Sequence, residues 1–544
     1  MSNILVSGIV AVTLIMTPGL NKDSLIIPKL IVLFCLALFL IPVILQLIKS
    51  SISNSHVKNL IILISVIFFN GILILINSKS PIDQLLFGRT GRGLGFITFT
   101  SILIVTLASA IFFKFQDMRL ILKSIVVAGL FTSTYSCVQY FGFDIFKWDS
   151  KNNGIIGTLG NPNSQSSFAA MVFIPTVIYF WTSRYKWLTV PSTLLILLFT
   201  VYISQSIQGY VGLISAAIAF TLFFYWYRNK IIFISVALLS LIAGVIAIFG
   251  TLGHGSLSYY LYKNSIQSRG DFWRSALTTG FEHPIFGVGF DSFGDYSLKY
   301  RDEIAASHSF AEYTDSAHNF YLDYFATGGF LFLLLHILLT LLTLSSFYIL
   351  QRNYGYFNKY LATFFCAWFV IQLQSIINTQ SITFLSWNAL LSGAIIGMAG
   401  NSVNLTPEIS VSKRNPSKTT LPLIKSLVMV FIGFAIMFPY FDSDRLIIKA
   451  SNSGNGDLLV KAATSYPQSV TKYSQASRAL LESGLPDASL FLAKKAVEFN
   501  PHAVSLWALI LVNQTASIED RQRAKLRILE LDPFNNEVKN ILIQ

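Results

Sequence analysis

S-R-G-D-F-W-R from Ser268 to Arg274, H-P-I-F-G-V-G-F from His283 to Phe290 and D-S-A-H-N from Asp315 to Asn319 share one polar segment, Thr251 to Asn319, in an otherwise largely apolar chain. Irregular backbone facing lipid would leave polar groups unsatisfied, so this segment has to sit in water or against a helical bundle. A long loop that carries Arg, Asp, Glu, His and Trp on a rigid scaffold is also where chemistry concentrates.

Outward from this loop, the 544 residues are 53% hydrophobic and 12% charged, with a mean hydropathy of +0.61. A soluble protein carries about 25% charged residues. Repeated apolar runs of about 18 residues or more therefore predict an all-α, polytopic membrane helix bundle. About thirteen spans are expected, centred near Val10, Cys35, Val66, Ile104, Ala128, Val172, Leu195, Ala217, Val236, Leu334, Phe369, Leu391 and Ile432. Ile4 to Gly19 lacks a basic leader and a small-residue cleavage site and reads as a retained span. The seventh and eighth spans run almost together around Ser204 to Gly209.

The formal net charge of +13 lies mostly in short loops between spans, which argues against a nucleic-acid partner. Basic residues gather in alternate loops, and such loops face the cytoplasm. They are Lys49 and Lys58; Lys114, Arg119 and Lys123; Arg184 and Lys186; Arg228 and Lys230; Arg352 and Lys359; Lys413, Arg414, Lys418 and Lys425. The loops around Gly88–Gly95, Phe141–Asn163 and 251–319 are then expected outside the cytoplasmic membrane. An odd number of spans places the C-terminal tail outside too. Cys35, Cys137 and Cys366 all lie in apolar runs without a CxxC or Cys/His cluster, so neither disulfides nor structural zinc are expected.

A membrane domain over 1–440 gives way to a soluble tail over 441–544. Tyr466-Pro467, Asn500-Pro501 and Asp532-Pro533 recur at intervals of 34 and 32 residues. A-S-L-F-L-A-K-K-A-V-E-F-N-P has helical periodicity and ends at a proline, the punctuation of tetratricopeptide helix pairs. A plain helical hairpin is the competing reading. Repeats of this kind would offer a docking surface to a protein partner.

Arg269 and Arg274 flank Asp271 and Trp273. Guanidinium groups suit a diphosphate because their planar fork donates in pairs and stays charged. An ordinary loop salt bridge, Arg269 to Asp271 or Glu282, competes with that role. His318, just before the tenth span, could accept a proton from an attacking hydroxyl; packing against backbone is the plainer alternative. His283 and His336 are weaker candidates, His336 as a helix-packing residue. Pro284, Gly287 and Gly289 mark a tight turn with close backbone approach. Gly157, Gly160, Asn161, Pro162 and Asn163 mark another before the sixth span. Arg89 and Arg92 lie in G-R-T-G-R-G, which lacks the Lys-Ser/Thr of a phosphate loop but could still greet a phosphate. The spans hold few ionisable residues, unlike those of an ion-coupled transporter.

These residues together resemble the O-antigen ligase and O-antigen polymerase family of bacterial envelope glycosyltransferases over about residues 20 to 400. The resemblance rests on R-x-x-x-W (Arg269, Trp273), P-x-x-G-x-G-x-x-x-F (Pro284, Gly287, Gly289, Phe293), A-H-N (Ala317, His318, Asn319) and G-G (Gly328, Gly329). G-N-P-N at Gly160–Asn163 and R-G-L-G at Arg92–Gly95 extend it. It implies a GT-C-like membrane fold and glycan transfer from an undecaprenyl-diphosphate donor to a glycan, lipid or protein acceptor outside. It further implies no metal or other cofactor, an arginine-bound diphosphate at Arg269 and an essential histidine at His318. Many members carry S-R-G near the start of the eighth span. Here the string is S-I-Q-G, with Gln208 in place of the arginine, so either Arg92 or Arg89 substitutes or the donor is bound differently. Ligase, polymerase and protein O-glycosyltransferase remain open. A lipid-linked oligosaccharide exporter would need charged residues lining a midplane cavity, and a non-catalytic envelope scaffold would tolerate loss of Arg269 and His318.

Overall fold

The computed structural model describes residues 1–146, 148, 155–226, 228–251, 254–255, 258–261, 264–308, 313–401 and 420–543. Lys413, Arg414 and Lys418 of the last basic loop lie outside the described residues. Every regular element among the described residues is helical. The first half contains α1 (Ser2–Leu14), α2 (Ile26–Ser51), α3 (Ser55–Asn77), α4 (Ile82–Phe87), α5 (Phe96–Phe112), α6 (Met118–Tyr140), α7 (Pro162–Phe180), α8 (Lys186–Ile203), α9 (Ile207–Tyr225) and α10 (Lys230–Thr251). The large loop holds α11 (Ser258–Leu261), α12 (Asn264–Glu282), α13 (Phe293–Tyr296) and α14 (Glu303–His308). The bundle is completed by α15 (Phe320–Tyr354), α16 (Lys359–Ile377), α17 (Ile382–Asn401) and α18 (Thr420–Ser453). The tail holds α19 (Gly456–Thr464), α20 (Val470–Glu482), α21 (Pro486–Phe499), α22 (Val504–Val512), α23 (Ile518–Leu531) and α24 (Asn536–Asn540).

Each expected span centre falls inside a helix. Ten of these helices are long and apolar enough to cross a membrane, and α1 and α5 are shorter apolar helices. The chain is thus a multi-pass membrane protein. Helices α8 and α9 are separate: Gln205 takes a φ of +51° and Ser206 caps α9. Helix α17 forms the centre. In lipid, helices gain little from hydrophobicity alone, and small residues let backbones meet. Gly393 and Gly397 do this: a Cβ on either would lie 2.1 or 2.0 Å from the Thr106 or Ala110 carbonyl oxygen of α5.

The loops interlock in two separate sets. At one end, Asn54 bonds the Gly397 carbonyl, Ser2 reaches Phe112, and Phe115 packs on Tyr354. At the other end, Gly91 bonds Asp23, Asp23 bonds Asp444 of α18, Ser206 bonds Asn163, and the 288–295 segment bonds residues 78–94. The large loop therefore shares its end of the bundle with the α1–α2, α3–α5, α6–α7 and α8–α9 loops.

That loop departs from the irregular segment expected of it, because S-R-G-D-F-W-R sits inside α12. Trp273, Ala276 and Gly280 recur at helical spacing and face inward. Gly280 abuts Phe325 of α15. The tail is built of packed helices around its own apolar core. The three proline junctions precede α20, α22 and α24. All three rest on the membrane domain. Tyr466 packs on Phe87 and the Gln468 amide donates to Asp83; Asn500 donates to Asp295 (2.9 Å); Asp532 pairs with Arg301 (2.7 Å), both buried. Part of the surface expected to recruit a partner is already occupied by the chain's own loops.

Because the tail and the large loop share one end, both should lie on the side opposite the basic loops. A reporter fused after Gln544 should be active outside the cytoplasm; activity confined to the cytoplasm would overturn this orientation.

Candidate active site

The site is assembled where α15 is broken. Gly329 has a φ of +76°, which interrupts the helix and frees carbonyls upstream. Val288 and Gly289 donate to the freed oxygens of Ala326 and Thr327, and Phe330 donates to Pro284. The P-I-F-G-V-G string is thus threaded along the break. A Cβ on Gly287 would lie 2.3 Å from the Thr327 backbone. On its far side, Ser78 and Ser80 both donate to the Val288 carbonyl.

The chain leaves this turn at Asp291, whose carboxylate organises the G-R-T-G-R-G loop. One oxygen accepts from the Arg89 and Leu94 amides, and the other pairs with the Arg92 guanidinium at 2.9 Å. Arg92 also donates to the Asp315 carbonyl and lies 3.7 Å from Asp323. Arg89 pairs with Asp295 at 3.0 Å and lies over the Tyr313 ring. Burial raises the Asp291 pKa against the pull of Arg92. Burial also opposes ionisation of Asp315, but Arg92 and Arg89 outweigh it and hold that pKa below its ordinary value. Both arginines are therefore committed to carboxylates, with side chains only 10% exposed. The expectation that either stands in for the arginine missing at Gln208 does not fit this geometry, because neither presents an open guanidinium.

His318 is fixed from both sides. Asp323 accepts from the Ala317 amide (2.8 Å) and the Ser316 hydroxyl (2.7 Å), and the His318 amide donates to Ser316. Asn319 caps α15 through the Tyr321 and Leu322 amides. Between these anchors His318 takes a φ of +52°, a left-handed conformation uncommon outside glycine. Its ring stacks on Phe272 of α12 at 5.6 Å, and Nδ1 is buried without a hydrogen-bond partner. Burial and the charge of Arg269 push its pKa down to about 4, with Asp315 opposing. The ring is therefore neutral at physiological pH.

Arg269 differs from the other arginines. It is half-buried, and among the described residues no carboxylate pairs with it. Burial alone lowers its pKa. The competing Arg269–Asp271 bridge does not form, because Asp271 pairs with Arg274 (2.6 Å) and His308 (3.2 Å). Arg274 also pairs with Asp302, which ties α12 to the segment before α14. Trp273 is buried in the same helix.

Asn163 and Gln208 form a second group at the same end. Asn163 accepts from Ser206, and the Gln374 side chain donates to the Gln208 carbonyl. His283 meets the Tyr300 hydroxyl, and His336 bonds the Phe332 carbonyl within α15. Sequence reasoning passed over Asp291, Asp295, Asp315 and Asp323, which hold the arginines. It also passed over Lys29, buried at the outer end of α2 with Nζ 2.5 Å from the Thr158 carbonyl. A lysine in the first turn of an apolar run was the available signal. Among the described residues, no group of three or more His, Cys, Asp or Glu side chains is placed to hold a metal ion.

Residues 192–337 match the family model described as O-Antigen ligase. The match contains Gln208, Arg269, Trp273, Arg274, Pro284, Gly287, Gly289 and His318; Arg89, Arg92 and Asn163 lie before it. No curated protein matches the chain significantly.

Gly287→Ala should destabilise this end of the molecule, since the added Cβ meets backbone at a φ of +61°. Overpacking costs about 1–3 kcal/mol, and the strained backbone adds to it. Thermal unfolding in detergent measures this; a variant as stable as the parent would show that the turn relaxes freely.

Proposed function

We propose that the chain, through its O-antigen ligase domain, moves a glycan from an undecaprenyl-diphosphate donor to a glycan, lipid or protein acceptor on the outer face of the bacterial cytoplasmic membrane. The observation that carries this reading is the pairing of opposites at one point: Arg269, a guanidinium with no carboxylate of its own, within charge range of a neutral His318. The donor's diphosphate needs a cation, and an arginine not already neutralised supplies one in a preorganised position. The acceptor hydroxyl needs a base, and an imidazole held neutral can act as one.

In this mechanism the acceptor oxygen attacks the anomeric carbon as the bond from that carbon to the diphosphate oxygen breaks. The electron pair leaves with the lipid diphosphate, held by Arg269. The hydroxyl proton passes to the His318 imidazole. In-line attack inverts the anomeric centre. The membrane places the lipid-borne donor at the depth of α15's outer end, where His318 sits.

Arg269→Ala should lower transfer by about 10²–10³-fold, the scale of losing one preorganised donor to a developing anion. Arg269→Lys should fall less, keeping the charge but losing the paired geometry. Transfer by purified protein at matched expression measures this, and a fully active alanine variant would leave Arg269 a folding residue.

His318→Ala should lower turnover by about 10²–10⁴-fold with donor affinity nearly kept. Protonation removes the base, so activity falls as pH drops through the working pKa. With that pKa pushed down to about 4, kcat/KM should stay level well below pH 6.5 and fall only near pH 4–5. An acid limb at 6.5 or above would contradict the neutral, desolvated imidazole. Rising activity at low pH would make the charged ring the working form.

A further inference from the structure

Between the start of α15 and the α16–α17 turn lies a pocket lined by Phe320, Gln374, Asn378, Gln380, Phe384 and Asn388. Gln374 and Asn378 are each only 3% exposed. Three side-chain atoms on this lining have no well-formed hydrogen bond: Gln374 Oε1, Asn378 Nδ2 and Gln380 Nε2, the last lying near the Tyr324 hydroxyl. Leaving such a group buried and unpaired costs about 1–3 kcal/mol, so three on one wall call for something to bond. One acceptor and two donors, without a charged residue among them, sit opposite the flat rings of Phe320 and Phe384. Hydroxyls both give and take hydrogen bonds, and the C–H faces of a sugar ring are apolar.

Phe320 follows His318 by two residues in the same fixed turn. Gln374 connects the pocket to Gln208, whose own Oε1 is also buried and unpartnered. The pocket thus lies between the two groups of candidate residues, at the depth where a lipid-borne sugar would reach the protein. Resting on the transfer reading above, we infer that this amide wall is a subsite for an uncharged sugar, the one attached to the donor diphosphate. The free space in the pocket is about that of one water molecule, so a sugar enters only as lining side chains such as the partly exposed Gln380 move aside.

The test uses full-length protein in lipid nanodiscs and two probes, polyprenyl diphosphate carrying a neutral oligosaccharide and bare polyprenyl diphosphate. Gln380→Ala, on a half-exposed side chain, and the near-isosteric Asn378→Asp are compared with the parent after thermal unfolding shows them folded. Each should weaken binding of the glycan-bearing lipid about 3–10-fold, the scale of one or two lost hydrogen bonds, and leave the bare lipid's affinity unchanged. Equal weakening of both lipids, no change in either, or a change only in acceptor KM would overturn the subsite. Binding is read without turnover. A parent protein that binds the glycan-bearing lipid more tightly than the bare one but transfers nothing would sink the transfer reading and leave the subsite standing.

Discussion

The end of the bundle that carries the large loop hangs on one buried carboxylate. A charge taken out of water has to be met by hydrogen bonds and opposite charge, or the fold loses several kcal/mol. Asp291 is met by two amides and a guanidinium, all from a loop some 200 residues earlier in the chain. Removing that carboxylate would leave the Arg89 and Leu94 amides without an acceptor and take from the Arg92 guanidinium one of its partners. The glycine-rich loop therefore cannot drift from the P-I-F-G-V-G turn. The turn in turn cannot drift from α15, because its amides fill the carbonyls that Gly329 frees. Only then do Asp323 and Asn319 have a fixed frame in which to hold His318.

This frame also sorts the arginines. Arg89, Arg92 and Arg274 lie among aspartates and carry little net positive charge outward. Arg269 has no carboxylate pair among the described residues, and its charge adds to burial in lowering the His318 pKa, with Asp315 opposing. The two effects reinforce each other, because the same unpaired charge that suits a diphosphate also keeps the neighbouring imidazole unprotonated. A bound diphosphate would partly cancel that field and raise the basicity of the imidazole as the donor arrives.

The helices were legible in the sequence because lipid demands long apolar runs, and thirteen run centres all fall within helices. The loop motif was legible as a pattern of residue types, with Arg269 and His318 standing out from a largely apolar chain. The rest was not, for a common reason. Asp291 and Arg92 are paired across 199 positions, Asp295 and Asn500 across 205, and the linear sequence gives no sign of which aspartate meets which arginine. Arg92 therefore looked as free as Arg269. Amides such as Gln374 and Asn378 also escaped notice, since carboxamides at helix ends usually serve as caps. The helical state of α12 was hidden by its charges, which suggest a loop until their spacing is placed against α15.

The tail's contacts impose an order on assembly. Asp295 finds Gln84 and Arg89 already made, but Arg301 emerges long before Asp532 and must wait for it. Until α23 and the residues after it have packed, Arg301 lacks the Asp532 carboxylate and the large loop lacks that brace. A chain cut after Ser453 would keep the apolar helices of the bundle yet lose the buried carboxylate that holds Arg301, and its large loop would be softer.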